Sequence, residues 1–222
     1  MTYYLPKHLS FCDNGGQMVF LDLARDRYFQ LSSSLGKALR ALMEGRPAPA
    51  EGIAGLLRRG LIVDDCAVGH PLAQIAATRP VRSAIEDSVL TSESDWRVAP
   101  EVTWRLMQAS TQLRTKPFRA VLERVTNAKE KIRRMRRDLD VQAIERLAVT
   151  FHRTQRLIPI KSVCLPDSLA LLGFLFSRGA AVDLVVAVNS PPFQAHCWVQ
   201  AQGTLLNSPL DHALSFTPIR II

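Results

Sequence analysis

The hydrophobic period changes several times along the chain, and each change marks an element. Residues 17–31, QMVFLDLARDRYFQL, alternate, with Met18, Phe20 and Asp22 on one face and Val19, Leu21 and Leu23 on the other. Ala24 to Asp26 supply a turn, so this stretch predicts a β-hairpin. Ser32, Ser33 and Ser34 offer an N-cap, after which Leu35, Ala38, Leu39 and Leu42 repeat at three and four residues until Gly45 and Pro47 stop the helix. Beyond the loop RPAPAEG, Ile53 to Arg59 reads as a second helix closed by Gly60, and Leu61-Ile62-Val63 reads as a strand. Strand, strand, helix, helix, strand fits a small winged-helix module over residues 1–75. From Ala73 to Pro100 the periodicity weakens, and TSESD is polar and turn-rich, so 76–98 is read as a linker.

The second unit, 99–222, opens helically. Residues 101–126 and 138–157 carry helical patterns, and Pro117 breaks or starts a helix because it lacks an amide proton and clashes with the preceding turn. At Cys164 the pattern changes: CLPDSLALLGFLFSRG predicts a helix opening at the cysteine, with Pro166 in its first turn and Gly179 at its end. Ala181 to Val188 is an apolar run of the buried-strand kind. Ala195 to Gln200 and Thr204 to Leu206 follow around a turn at Gly203, continuing an antiparallel meander. The fold class expected is α+β: a small winged-helix module followed by a papain-like or transglutaminase-like domain.

Composition narrows the function classes. With 47% hydrophobic residues in 222, the chain can bury a sizeable core. No run approaches the roughly 18 apolar residues of a membrane span, and the start lacks the basic-then-apolar pattern of a signal peptide. Cys12, Cys66, Cys164 and Cys197 lie far apart without a CxxC pair, which argues against a zinc site and a disulfide scaffold. Reduced thiols and a cytoplasmic location are expected. No metal or nucleotide motif is present, so no cofactor is expected. The formal charge of +8 is confined to residues 114–156, where 13 basic residues face 5 acidic ones. Its densest part, KEKIRRMRR from Lys129 to Arg137, has no interleaved aromatics and matches no common nucleic-acid motif. A solvated helix face or an acidic partner surface fits it better than nucleic acid.

One constellation carries chemistry. A thiol is a nucleophile only as thiolate, and a helix start lowers its pKa because unpaired amides and the dipole favour negative charge. Cys164 has that placement. His196, opening a strand 32 residues later, is suited to exchange its proton, and a carboxylate or amide shortly beyond would orient the ring. Asp211, Asn207 and Ser208 are the candidates for that third position, with Asp211 favoured slightly over Asn207 and Ser208 the weakest electrostatically. Cys197 is read as structural, since adjacent strand residues point to opposite faces and only one of Cys197 and His196 should face Cys164. Cys12 and Cys66 are likewise structural, and His212 reads as exposed loop.

These residues are familiar. SVCLPDSLALLGFLFSRG followed by PPFQAHCWVQAQGTLLN resembles the leader peptidase domain of lasso peptide biosynthesis B proteins, over about residues 99–222. The front, DNGGQMVFLDLARDRYFQLSSSLGKAL with LLRRGLI, is similar to the winged-helix recognition element that binds leader peptides, so the whole resembles the fused B protein. The resemblance implies a cysteine protease that removes the leader from a lasso precursor peptide. The freed core would pass to an asparagine-synthetase-like cyclase that closes the macrolactam. Where the family has an aspartate in an L-N-D segment, this chain reads Leu206-Asn207-Ser208. Family members add the leader as an extra strand beside the winged-helix sheet, which points to Tyr28, Phe29, Leu31, Leu35, Leu39 and Leu42 as leader-binding residues. A leader-binding escort that does not cut is the alternative.

Overall fold

The computed structural model describes residues 2–87, 96–135 and 139–222. The TSESD segment and Arg136 and Arg137 of the basic run lie outside the described residues. The front module holds β1 (Tyr4–Pro6), β2 (Leu9–Asn14), β3 (Gln17–Asp22), β4 (Arg27–Gln30), α1 (Ser33–Met43), α2 (Ala50–Arg58) and β5 (Gly69–Pro71). Strands β2, β3 and β4 form an antiparallel meander in that order, with β4 at the edge, and β1 pairs with β5. The hairpin expected over 17–31 is therefore present, extended by β2. The stretch 61–63 differs from expectation. Leu61 and Ile62 turn into the core, and only Val63 joins a strand, through paired backbone bonds with Tyr4 of 2.7 and 2.9 Å. Burial of two successive apolar side chains takes precedence over alternation there.

Helices α1 and α2 approach closely because Gly52 and Gly55 face Ala38 and Leu35. A Cβ on Gly52 would lie 2.5 Å from that of Ala38. The alternating residues of β3 go where their period sends them. Met18 and Phe20 join Leu9, Phe11, Leu39 and Leu56 in a core belonging to the front module. Val19, Leu21 and Leu23, with Cys12 of β2, join the core of the second unit instead.

That unit begins earlier than expected. β6 (Arg82–Ser83) and α3 (Ala84–Asp87) fall within the stretch read as a linker, yet β6 pairs in parallel with β9 (Thr204–Leu205). The Ser83 hydroxyl also donates to the Ser208 carbonyl at 2.8 Å. A short 3-10 turn at Trp96–Val98 leads into α4 (Ala99–Thr115), α5 (Phe118–Arg134) and α6 (Val141–Gln155). Pro117 is the N-cap of α5, which splits the helical pattern of 101–126 into two helices. Then come α7 (Cys164–Ser177), β7 (Asp183–Asn189), β8 (Gln194–Ala201), β9, α8 (Leu210–Leu214) and β10 (Thr217–Ile221). The sheet order is β10-β7-β8-β9-β6. Helix α7 is apolar nearly all round and packs on one sheet face among α4, α5 and α6, while α8 covers the other. The fold is thus α+β.

The basic run as far as Arg134 lies on α5. Arg133 and Arg134 are exposed, whereas Lys129 is 6% exposed and pairs with Asp183.

Candidate active site

Cys164 is the first residue of α7. The turn that delivers it is held from behind: the buried Asp167 carboxylate accepts from the Val163 amide at 3.1 Å and from the Ser162 hydroxyl. This closes the helix start and leaves the thiol at its tip. The thiol pKa is held down to about 4. The causes, in order, are a hydrogen bond from the Cys197 thiol and one from His196, against which burial works, with the His196 charge and the Cys197 amide adding to the lowering. Cys164 is therefore a thiolate at neutral pH, the form a nucleophile needs.

The expectation that Cys197 would face away is corrected here. Its side chain does point to the α7 face, opposite that of His196, yet both reach the Cys164 sulfur. The reason is that the sulfur sits against the edge of β8, beyond the end of the short β9, so the Cys197 amide reaches it as well. A group at a strand edge can meet side chains of both faces. In return, the Cys164 thiolate and burial push the Cys197 thiol well above its ordinary range, so it stays a donor.

His196 opens outward from β8 into a shelf formed by Trp198, His212 and Phe216, with ring centroids at 5.9, 4.6 and 5.2 Å. His212 is thus in α8 against the imidazole, exposed as expected but not in a loop. The third group also differs from the favoured expectation. His196 Nε2 lies 3.1 Å from Oγ of Ser208, which is 1% exposed, and the Ser208 hydroxyl donates onward to the Pro209 carbonyl at 3.4 Å. Asp211 is exposed in the first turn of α8, where its charge suits the helix start. Pro209, the N-cap of α8, turns the chain between the two, so that 208 points inward and 211 outward.

Asn207 is occupied elsewhere. Its Oδ1 accepts from the Val199 amide at 2.7 Å and its Nδ2 donates to the Ser168 hydroxyl at 2.9 Å. Ser168 is buried on α7 and donates to the Cys197 carbonyl at 3.4 Å. Asn207 and Ser168 thereby tie the nucleophile's helix to the histidine's strand. Ser168 was not legible as a site residue, because a serine inside an apolar helix carries no signal of its own.

In front of the sulfur is a cavity of about 310 Å³, bounded by Cys164, His196 and Cys197. Leu113, Phe118 and Leu165 give it an apolar wall, and Asp26 and Tyr28 of the front module close it. A second groove of about 460 Å³ borders the same helix start through Val163 and Pro166. A larger cavity, about 1030 Å³, lies between α1 and α2, where Ser32, Lys37, Glu51 and Arg58 are among the lining residues and no cysteine or histidine is.

The six residues expected to touch a leader separate into three groups. Leu35 and Leu39 are buried in the front core, Phe29, Leu31 and Leu42 pack at its margin, and Tyr28 turns to the cavity at Cys164. Among the described residues no cluster of three or more metal-ligating side chains occurs, and no helix is long and apolar enough to cross a membrane.

Comparison with known proteins adds two findings. A stretch of 64 residues is 39% identical to the microcin J25-processing protein McjB of Escherichia coli, an alignment spanning 29% of each chain. No solved structure gives a significant match. Residues 103–221, just over half the chain, match the transglutaminase-like superfamily and contain the helix-start cysteine, the strand histidine and their supports. By that match the chain belongs to the transglutaminase-like superfamily.

Proposed function

We propose that this chain is a cysteine peptidase of lasso peptide biosynthesis, which holds the leader of a precursor peptide on its front module and cuts at the leader–core junction. The observation that carries the reading is the Cys164 thiolate at a helix start with His196 beside it. The likeness to McjB, a microcin-processing protein, supports the substrate class.

The Cys164 thiolate attacks the scissile carbonyl carbon, and the resulting oxyanion lies near the amides of the helix start. His196, as imidazolium, gives its proton to the nitrogen of the core's first residue as the C–N bond breaks. The leader remains as a thioester on Cys164. His196, now neutral, takes a proton from water, whose hydroxide attacks the thioester carbon; the C–S bond breaks, the thiolate re-forms beside the imidazolium, and the leader departs as a carboxylic acid that gives its proton to solvent. Ser208 accepts from His196 Nε2 and keeps the other ring nitrogen toward the sulfur.

Leader capture is assigned to β4, the edge of the front sheet, where an added strand would find free backbone groups. Tethering the leader there raises the effective concentration of the junction at Cys164. The freed core would be taken by an asparagine-synthetase-like cyclase. One observation favours a second reading, a leader-binding escort that does not cut: the imidazole's partner is a serine and not a carboxylate.

Mass spectrometry of a lasso precursor peptide from the genomic neighbourhood of this chain, incubated with wild type and with Cys164→Ala, separates the two. One cut by wild type alone supports the peptidase. Tight binding of the leader by both proteins with no cut would leave the escort.

A further inference from the structure

The front module does more at the site than hold a leader. Along β4 successive side chains alternate faces, and Phe29 goes to the front core. Tyr28 and Gln30 go the other way, to the β7–β8 turn: the Tyr28 and Phe193 rings lie 5.3 Å apart, and Gln30 Nε2 donates to the Ser190 hydroxyl at 3.1 Å. Tyr28 thus enters the cavity that holds Cys164 and His196, and Asp26, at the turn before β4, enters with it. Burial first, and then the neighbouring acidic groups of the cavity, push the Tyr28 phenol up to about 12, so it is a neutral donor at any working pH. Val19 and Leu21 of β3 and Leu23 just beyond it, locked into the second unit's core, fix the hairpin whose other strand, β4, carries Tyr28.

We propose, resting on the peptidase reading above, that Tyr28 with Asp26 is a wall of the cleavage pocket. Tyr28 then positions, and selects, the residue on the leader side of the scissile bond. The leader side follows from the connection: a chain held on the edge of β4 reaches the sulfur past Tyr28. The cavity's size and its walls of Leu113, Phe118 and Leu165 fit one side chain with an apolar body. The Asp26 carboxylate and the Cys164 thiolate exclude an acidic one. Tyr28 therefore acts on cleavage and not on leader affinity, contrary to what its place in the strand sequence suggests.

The test measures three quantities for wild type, Tyr28→Ala, Tyr28→Phe and Tyr28→Leu. These are the affinity for a fluorescent leader peptide, kcat at saturating precursor, and cleavage of precursors carrying Glu, Leu or Ala at each of the two positions before the junction. In Tyr28→Ala, leader affinity stays within about twofold while kcat falls on the order of 100-fold, the scale of a misplaced reacting bond. Tyr28→Phe recovers to within about fivefold of wild type, the share of one hydrogen bond. Tyr28→Leu, which preserves apolar volume, carries the test should the alanine variant unfold, and it alters the junction preference. A tenfold loss of leader affinity with kcat unchanged would make Tyr28 a leader-docking residue and overturn the inference. So would wild-type kcat and junction preference in both Tyr28→Phe and Tyr28→Leu. No cleavage by wild type would instead remove the peptidase reading itself, and the inference with it.

Discussion

Replacing Ser208 separates its role from that of Asp211. The His196 N–H now reaches a neutral oxygen at 3.1 Å that is 1% exposed, so no water can substitute for it in Ser208→Ala. A hydrogen bond to a charged group contributes about 1.5–3 kcal/mol, and the imidazolium of the acylation step is such a group. Each 1.36 kcal/mol is tenfold in rate, so kcat should fall about 10- to 150-fold. Ser208→Asp moves in the opposite direction. A carboxylate at the same 3.1 Å gains about 5 kcal/mol of attraction at an effective dielectric of 20. Desolvating it in that buried position costs several kcal/mol, leaving on the order of 1 kcal/mol and a rise in kcat of about fivefold. Asp211→Asn, at an exposed helix start, should change kcat by less than about twofold. The assay is precursor cleavage at saturation followed by mass spectrometry. Alkylation of Cys164 by iodoacetamide serves as a readout that needs no leader. The reasoning is refuted if Asp211→Asn loses as much as Ser208→Ala is expected to lose while Ser208→Ala stays within twofold of wild type.

Three further outcomes follow from the geometry. Because the Cys164 pKa is lowered to about 4, its thiolate is present above that pH and is lost as pH falls through it. Alkylation should then be nearly flat from pH 8 to 6, where free cysteine loses about tenfold per unit, and Cys197→Ala should raise the midpoint by about one to two units; an unshifted midpoint would remove Cys197 from the site. Gly52→Ala gains helix propensity of up to about 1 kcal/mol, but its Cβ would lie 2.5 Å from that of Ala38, so overpacking of about 1–3 kcal/mol wins and thermal denaturation should show a lower Tm. For the Lys129–Asp183 pair the two deletions are unequal: Asp183→Ala strands an ammonium that is 6% exposed and costs about 3 kcal/mol, whereas Lys129→Met leaves a half-exposed carboxylate and costs under about 1 kcal/mol in urea unfolding; equal costs would contradict this.

Elements with one strong local signal were legible in the sequence. The alternation around Phe20, the stop at Gly45, the helix boundary at Pro117 and the helix start at Cys164 each follow from residue chemistry that acts within a few positions. What local pattern could not supply was long-range. β6 is two residues long and exists as a strand only because β9 lies beside it. Tyr28 and Phe29 are both aromatic, and only the tertiary contact shows that one faces the cavity at Cys164 and the other the front core. The choice of Ser208 over Asp211 rests on where Pro209 turns the chain, a question of direction that composition does not answer. The rule that adjacent strand residues face opposite ways turns Cys197 away from the thiol, and it does not hold for a partner located at the strand's edge.

The three-stranded front sheet is apolar on both sides, with Phe20 serving one core and Val19, Leu21 and Leu23 the other. A sheet of this kind has no solvent face to offer when its neighbour is removed, so cutting the chain between 75 and 99 would bare the Cys12, Val19, Leu21 and Leu23 stripe on one fragment and its apolar seat on the other. The front module is therefore not a cassette that can be transplanted on its own. A foreign front domain grafted onto the second unit would need to bring, or be given, the same odd-numbered stripe at Val19, Leu21 and Leu23 before its β4 could stand beside Cys164.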